Sequence, residues 1–207
     1  MTTKLATIIS YVFHPLMMST FLILILAIAS PYAILPVGFN VTGAVVLIAL
    51  IWITTFLIPS LSLFILKKTG SISSLTLYNR KERITPMIYT TVMYGVTAYM
   101  FSTKLELGVM ISVFLGISTL LIGLTTLITL VWKISAHGTG IGGLIGVVIA
   151  SNLVLNIRHF DIILIALFIL AGIVLSARLK LKAHTPAQVY VGFVMGVFVS
   201  FVAYMLY

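Results

Sequence analysis

A chain of 207 residues that is 61% hydrophobic and 7% charged, with a mean hydropathy of +1.28, is an integral membrane protein, because no soluble domain of this size exposes so much apolar surface. Its net charge of +9 comes from 12 Lys+Arg against 3 Asp+Glu, and beside hydrophobic spans that excess points to lipid headgroups rather than nucleic acid. With no cysteine, disulfides, thiolate catalysis and cysteine-held metals are excluded, and the scattered acids Glu82, Glu106 and Asp161 are too few for a carboxylate cage around Mg²⁺ or Ca²⁺, so neither metal nor cofactor is expected.

A spanning helix needs about 20 mostly apolar residues. Seven stretches qualify: 5–29, 41–66, 86–102, 107–132, 137–155, 162–179 and 186–206. The predicted fold is all-α, a polytopic membrane bundle of six to seven transmembrane helices. The first stretch is too long for a signal-peptide core and lacks a small-residue cleavage site, so it reads as a retained span. It carries His14-Pro15, a helix kink whose histidine needs an internal partner. The second carries Pro59 and the third is short, so those two are where a broken or tilted span is expected. Between them lies the longest polar connection, 67–85, with apolar Leu75, Leu77 and Ile84. It reads either as an interfacial segment over the bundle mouth or as a solvated loop. The chain is taken as one membrane domain, 1–207: two N-terminal spans in 1–66, the basic loop 67–85 and a core in 86–207.

The fifth span opens with Gly138-Thr139-Gly140-Ile141-Gly142-Gly143, a formal GxGxxG. The dinucleotide fingerprint needs a preceding strand in a soluble βαβ unit, which a membrane helix does not offer. Gly138, Gly142 and Gly146 instead recur every fourth residue, a stripe that lets two helices approach closely. Free N–H groups at such a helix start can also face an anion.

The connections alternate in charge. Ten basic residues fall on one side, and Lys104 and Arg158 on the other. By the positive-inside rule the first side is cytoplasmic, in a bacterial inner (cytoplasmic) membrane. That side gathers three clusters: Arg80-Lys81-Glu82-Arg83, then Lys133-Ile134-Ser135-Ala136-His137-Gly138, then Arg178 with His184 six residues later. Arginine, lysine, serine and two histidines with almost no carboxylate suit an anionic group, most naturally phosphate, on which the histidines can do proton or nucleophile chemistry. Arg80, Lys81 and Arg83 serve equally well as juxtamembrane contacts for anionic headgroups, and Arg83, nearest the third span, is the preferred site residue of the three. If 184–188 is helical, Gln188 lies one turn from His184 and its oxygen can accept from a ring N–H. His159 reads as a surface residue, and histidines scattered near helix ends do not suit haem.

This order of clusters resembles the type 2 phosphatidic acid phosphatase superfamily of membrane lipid phosphatases, whose pattern is KxxxxxxRP, PSGH and SRxxxxxHxxxD. Ile134-Ser135-Ala136-His137 looks like PSGH with serine and histidine kept. Ala177-Arg178, then His184, then Gln188 look like the third motif, with alanine for serine and glutamine for aspartate. Arg80 to Pro86 stands in the place of the first motif without its lysine-to-arginine spacing or its adjacent Arg-Pro. The resemblance covers roughly residue 80 to the C-terminus. It implies that His184 is the nucleophile forming a phosphohistidine, with Gln188 as its orienting partner. His137 would protonate the leaving oxygen. Ser135, Arg178 and a base from Arg80, Lys81 and Arg83 would hold the phosphoryl oxygens; the N–H of Gly138, at the start of the fifth span, is a further candidate from its position alone. It implies a metal-independent phosphatase whose partners are a phosphorylated lipid and the surrounding membrane lipids. The alternative is a catalytically degenerate relative that binds anionic lipid or serves as a subunit of a membrane complex or homo-oligomer. Ala177 and Gln188 favour the alternative, and the retained Ser135, His137, Arg178 and His184 favour the enzyme.

Overall fold

The computed structural model describes residues 1–35, 40–105, 109–156 and 159–207, so Glu106, Leu107 and Arg158 lie outside the described residues. The chain is all-α: α1 (Thr3–Val12), a 3₁₀ turn (Pro15–Met17), α2 (Met18–Ala29), α3 (Pro31–Ile34), α4 (Val41–Trp52), a π-helical turn (Ile53–Leu57), α5 (Ile58–Lys68), α6 (Arg80–Thr103), α7 (Val109–Val131), α8 (Ala136–Leu155), α9 (His159–Lys180) and α10 (Pro186–Met205). Among the described residues there is no strand, and six helical stretches are long and apolar enough to cross a membrane: Thr3–Ala29, Val41–Lys68, Val109–Val131, Ala136–Leu155, His159–Lys180 and Pro186–Met205. The expected third span, 86–102, is the later part of α6, which has the length to cross but a more polar composition. Its buried face carries Arg83, Thr90, Tyr94 and Thr97.

Helix α6 starts at Arg80, earlier than the sequence suggested. Asn79 caps it, its side chain accepting from the Lys81 N–H at 3.1 Å. The basic cluster therefore occupies the first turn of a helix rather than the end of a loop, and the irregular stretch is 69–79. Ser73 is tied to that first turn: its N–H and Oγ donate to Glu82 Oε2 at 2.9 and 2.7 Å. These bonds hold the Glu82 carboxyl below its usual range.

The second span breaks where Pro59 requires it. Proline lacks an N–H and crowds the carbonyl four residues back, which is that of Thr55. The helix widens into the π turn just before the proline, and Tyr94 Oη on α6 donates to the Thr55 carbonyl at 2.9 Å.

By contacts the chain forms two compact units. One is the continuous segment Ser19–Trp132. Within it α6 packs along α7, and Arg80 Nη1 donates to the Thr129 carbonyl at 2.9 Å and to that of Leu130, where a cation complements the carbonyl end of α7.

The other unit joins Met1–Met18 to Lys133–Tyr207 and holds α1, the 3₁₀ turn, α8, α9 and α10. Its central feature is the packing of α8 on α10 through glycines on both. A Cβ on Gly138 would stand 2.7 Å from the Val189 carbonyl oxygen, and one on Gly192 2.8 Å from that of Ser135. At Gly142 and Gly196 a Cβ would run into the Phe193 and Thr139 carbonyl oxygens. The stripe read from the sequence is thus half of a two-sided seam in which backbone meets backbone. Gly142→Ala is expected to cost about 1–3 kcal/mol or more, since backbone cannot swing aside. Gly172→Ala, where nothing lies within 4 Å of a built Cβ, is expected to be neutral or mildly stabilising. Thermal unfolding of both variants in detergent checks this, and an unchanged midpoint for Gly142→Ala would refute the seam's rigidity.

Candidate functional site

The short connection before α8 is fixed by Ser135. This fully buried residue caps α8, its Oγ accepting from the Gly138 N–H at 3.2 Å. Its own N–H donates to the Gln188 carbonyl at 3.1 Å, which ties the start of α8 to the start of α10. Gly138 thus spends its N–H on this cap and its bare α-carbon on α10.

His137 is the second residue of α8 and is buried. Its Nε2 lies 3.0 Å from the Ser10 carbonyl oxygen in α1. A carbonyl only accepts, so Nε2 carries the proton and Nδ1 the lone pair of the neutral ring.

His184 precedes α10, whose cap is a full capping box. Thr185 Oγ1 accepts from the Gln188 N–H at 3.4 Å, and Gln188 Oε1 accepts from the Thr185 N–H at 3.2 Å. The same Oε1 accepts from His184 Nδ1 at 3.1 Å, the bond expected from their spacing. That places the Nδ1 proton on the glutamine side and the lone pair on Nε2.

Arg178 sits in the last turn of α9, where the helix dipole favours a cation. Its Nε–H is buried and has no hydrogen-bond partner in the protein. The end of α9 and the starts of α8 and α10 form one end of this unit. Arg178 is close enough for its charge to act on His137, and so is His184.

One member was missed. His14, read as a kink residue, caps the 3₁₀ turn Pro15–Met17, its Nδ1 accepting from the Leu16 N–H at 3.3 Å. Its ring meets that of His137 edge-on, with centroids 5.7 Å apart and planes at 76°. Arg178 also acts on it electrostatically. The available signal was its depth, since an ionisable side chain well inside an apolar span is expensive unless it has a task.

Three imidazoles and one guanidinium therefore share one end of this unit. The two described acids are engaged elsewhere, Glu82 with Ser73 and Asp161 with Asn152 Nδ2 at 2.9 Å. Among the described residues no three of His, Asp and Glu stand close enough to hold a metal ion. An underused buried donor, a positive charge and oriented imidazoles suit an oxyanion with several acceptor oxygens. Arg80, Lys81 and Arg83 belong to the other unit. Arg80 caps α7 there, Arg83 is buried on α6 and Lys81 is exposed.

The fold defines a polytopic α-helical integral membrane protein with a histidine-arginine cluster at one end of a glycine-seamed helix group. Comparison with protein-family models, curated proteins and solved structures finds no match.

Proposed function

We propose that the chain is a membrane phosphatase that hydrolyses a lipid phosphate or diphosphate without a metal, through a phosphohistidine on His184. One observation carries this reading: the buried Arg178 Nε–H, without a hydrogen-bond partner, shares an end of one unit with His137 and His184, at the opposite end of α9 from Asp161. In the first step the Nε2 lone pair of His184 attacks phosphorus and the bond to the lipid oxygen breaks. That oxygen takes its proton from His137 Nδ1, which has received it from the hydroxyl of the incoming phosphate monoanion. In the second step water attacks phosphorus, gives a proton to His137 Nδ1, and the P–N bond breaks to release inorganic phosphate. Arg178 holds phosphoryl oxygens, and Ser135, whose lone pair serves the helix cap, keeps its hydroxyl hydrogen for another. Phosphoryl transfer asks mainly for such positioning and charge neutralisation. We assign the exposed Lys81 to anionic headgroups at the membrane surface, since Arg80 is spent on the end of α7 and Arg83 is buried.

A second reading, a non-catalytic binder of anionic lipid or a complex subunit, is favoured by Gln188. Its neutral oxygen already serves both His184 and the helix cap. The deciding experiment is phosphate release from a panel of lipid phosphates and diphosphates by purified protein, with and without chelator. Release that survives chelation and falls in Arg178→Ala supports the enzyme. Release lost with chelator and restored by Mg²⁺ overturns the histidine mechanism. Binding without release on every substrate favours the second reading.

We place the site at the cytoplasmic face, on the ten-to-two division of basic residues. With α6 crossing as well, there are seven spans and the C-terminus lies opposite. A reporter fused after Tyr207 is expected on the outer side, and a cytoplasmic signal would contradict the orientation or the span number.

A further inference from the structure

We propose that Ser10 and His14, at the end of α1, are positioning residues of this site that hold the His137 ring in one orientation and one tautomer. The kinetic consequence rests on the phosphatase reading; the positioning does not. The terminal torsion of a histidine side chain is broad and nearly two-fold, so an unrestrained ring presents carbon as readily as nitrogen. His137 is restrained twice from one short segment. The Ser10 carbonyl takes Nε2–H at 3.0 Å, and the edge-on contact with His14 blocks the ring swing. That segment is itself fixed. His14 is locked by its bond to the Leu16 N–H, and Pro15 sets the backbone after it. The turn then rests on Gly140, where a Cβ would stand 3.0 Å from Met18 Cγ and 3.5 Å from Pro15 Cα.

A carbonyl that holds the Nε2–H keeps Nδ1 aimed at the leaving oxygen and stays bonded when the ring is protonated. This is the part a carboxylate plays behind many functional histidines. Each histidine is thus oriented by a neutral oxygen: Ser10 O holds His137 and Gln188 Oε1 holds His184.

The test uses the full chain in detergent with ¹⁵N-labelled histidine, the His137 signals assigned by their loss in His137→Ala. The wild type is expected to show His137 as a single Nε2–H tautomer. His14→Asn keeps an acceptor for the Leu16 N–H but removes the ring. It is expected to average the His137 tautomers and to lower kcat for lipid-phosphate hydrolysis about tenfold at unchanged KM, the scale of a lost orienting partner. His14→Phe keeps a flat ring, loses the acceptor and is expected to retain the single tautomer. Retention of the Nε2–H signature in His14→Asn overturns the proposal. So does its loss in His14→Phe with retention in His14→Asn, which assigns the effect to the turn alone. A raised KM at unchanged kcat makes His14 a binding residue and also overturns it. If the His14→Asn signature changes while the wild type hydrolyses no lipid phosphate, positioning stands and the phosphatase reading falls.

Discussion

Alanine at position 184 is expected to bring phosphate release down to background while leaving the fold intact. His184 stands before α10 rather than within it, and the capping box made by Thr185 and Gln188 does not need its ring. Truncating it therefore removes chemistry without removing the helix start. Loss of the nucleophile of a covalent mechanism costs on the order of 10⁶-fold in kcat in a well-dissected protease, so no residual turnover should be measurable. Acid-labile ³²P labelling of the wild type during turnover, absent from His184→Ala, checks the intermediate. A variant that still releases phosphate at the wild-type rate ends the phosphohistidine proposal.

Glutamate at position 188 is expected to accelerate turnover, and to do so more than aspartate. Gln188 Oε1 bonds both the His184 ring and the Thr185 N–H. Glutamate has the same reach, so a carboxylate oxygen takes that place without moving either donor, and Thr-x-x-Glu is itself a favourable capping box. A negative charge in the first turn of a helix is also favoured. Aspartate, one methylene shorter, must give up one of the two bonds. The gain comes from pairing a carboxylate with the positive imidazole that forms on phosphoryl transfer. Its ceiling is set by the roughly 10⁴-fold loss when a triad aspartate becomes asparagine. We expect about 10- to 100-fold, because desolvating the new charge offsets part of the benefit at this half-buried position. Steady-state kinetics of the two variants decide it. A glutamate variant no faster than wild type would mean that His184 develops no charge in the rate-limiting step.

Much of the fold was legible because membrane helices advertise themselves by length and apolarity, and Pro59 marked the break in the second span. The start of α6 was misread for a physical reason. Three cations among four residues look like a surface loop, yet Asn79 followed three residues later by Glu82 is a helix-start signal. The π turn was not readable, since the Tyr94 hydroxyl that donates to the Thr55 carbonyl comes from a helix distant in sequence. The bond between His184 and Gln188 was legible because it is local and helical spacing dictates it. That between His137 and Ser10 was not, because its partners stand 127 residues apart and one is a backbone carbonyl, which has no signature in a sequence.

The unit that holds the histidine cluster is assembled from the two ends of the chain, Met1–Met18 and Lys133–Tyr207, with a complete second unit encoded between them. During synthesis Met1–Met18 is made before Lys133–Tyr207, so within this unit α1 waits for α8, α9 and α10. The intervening Ser19–Trp132 can collapse on its own in the meantime. Closing so long a loop is slow compared with pairing neighbouring helices. The cluster is therefore completed only once α10 has been made. A chain halted before α10 would already hold all four key groups, His14, His137, Arg178 and His184, while Gln188, whose side chain orients the His184 ring, would still be missing.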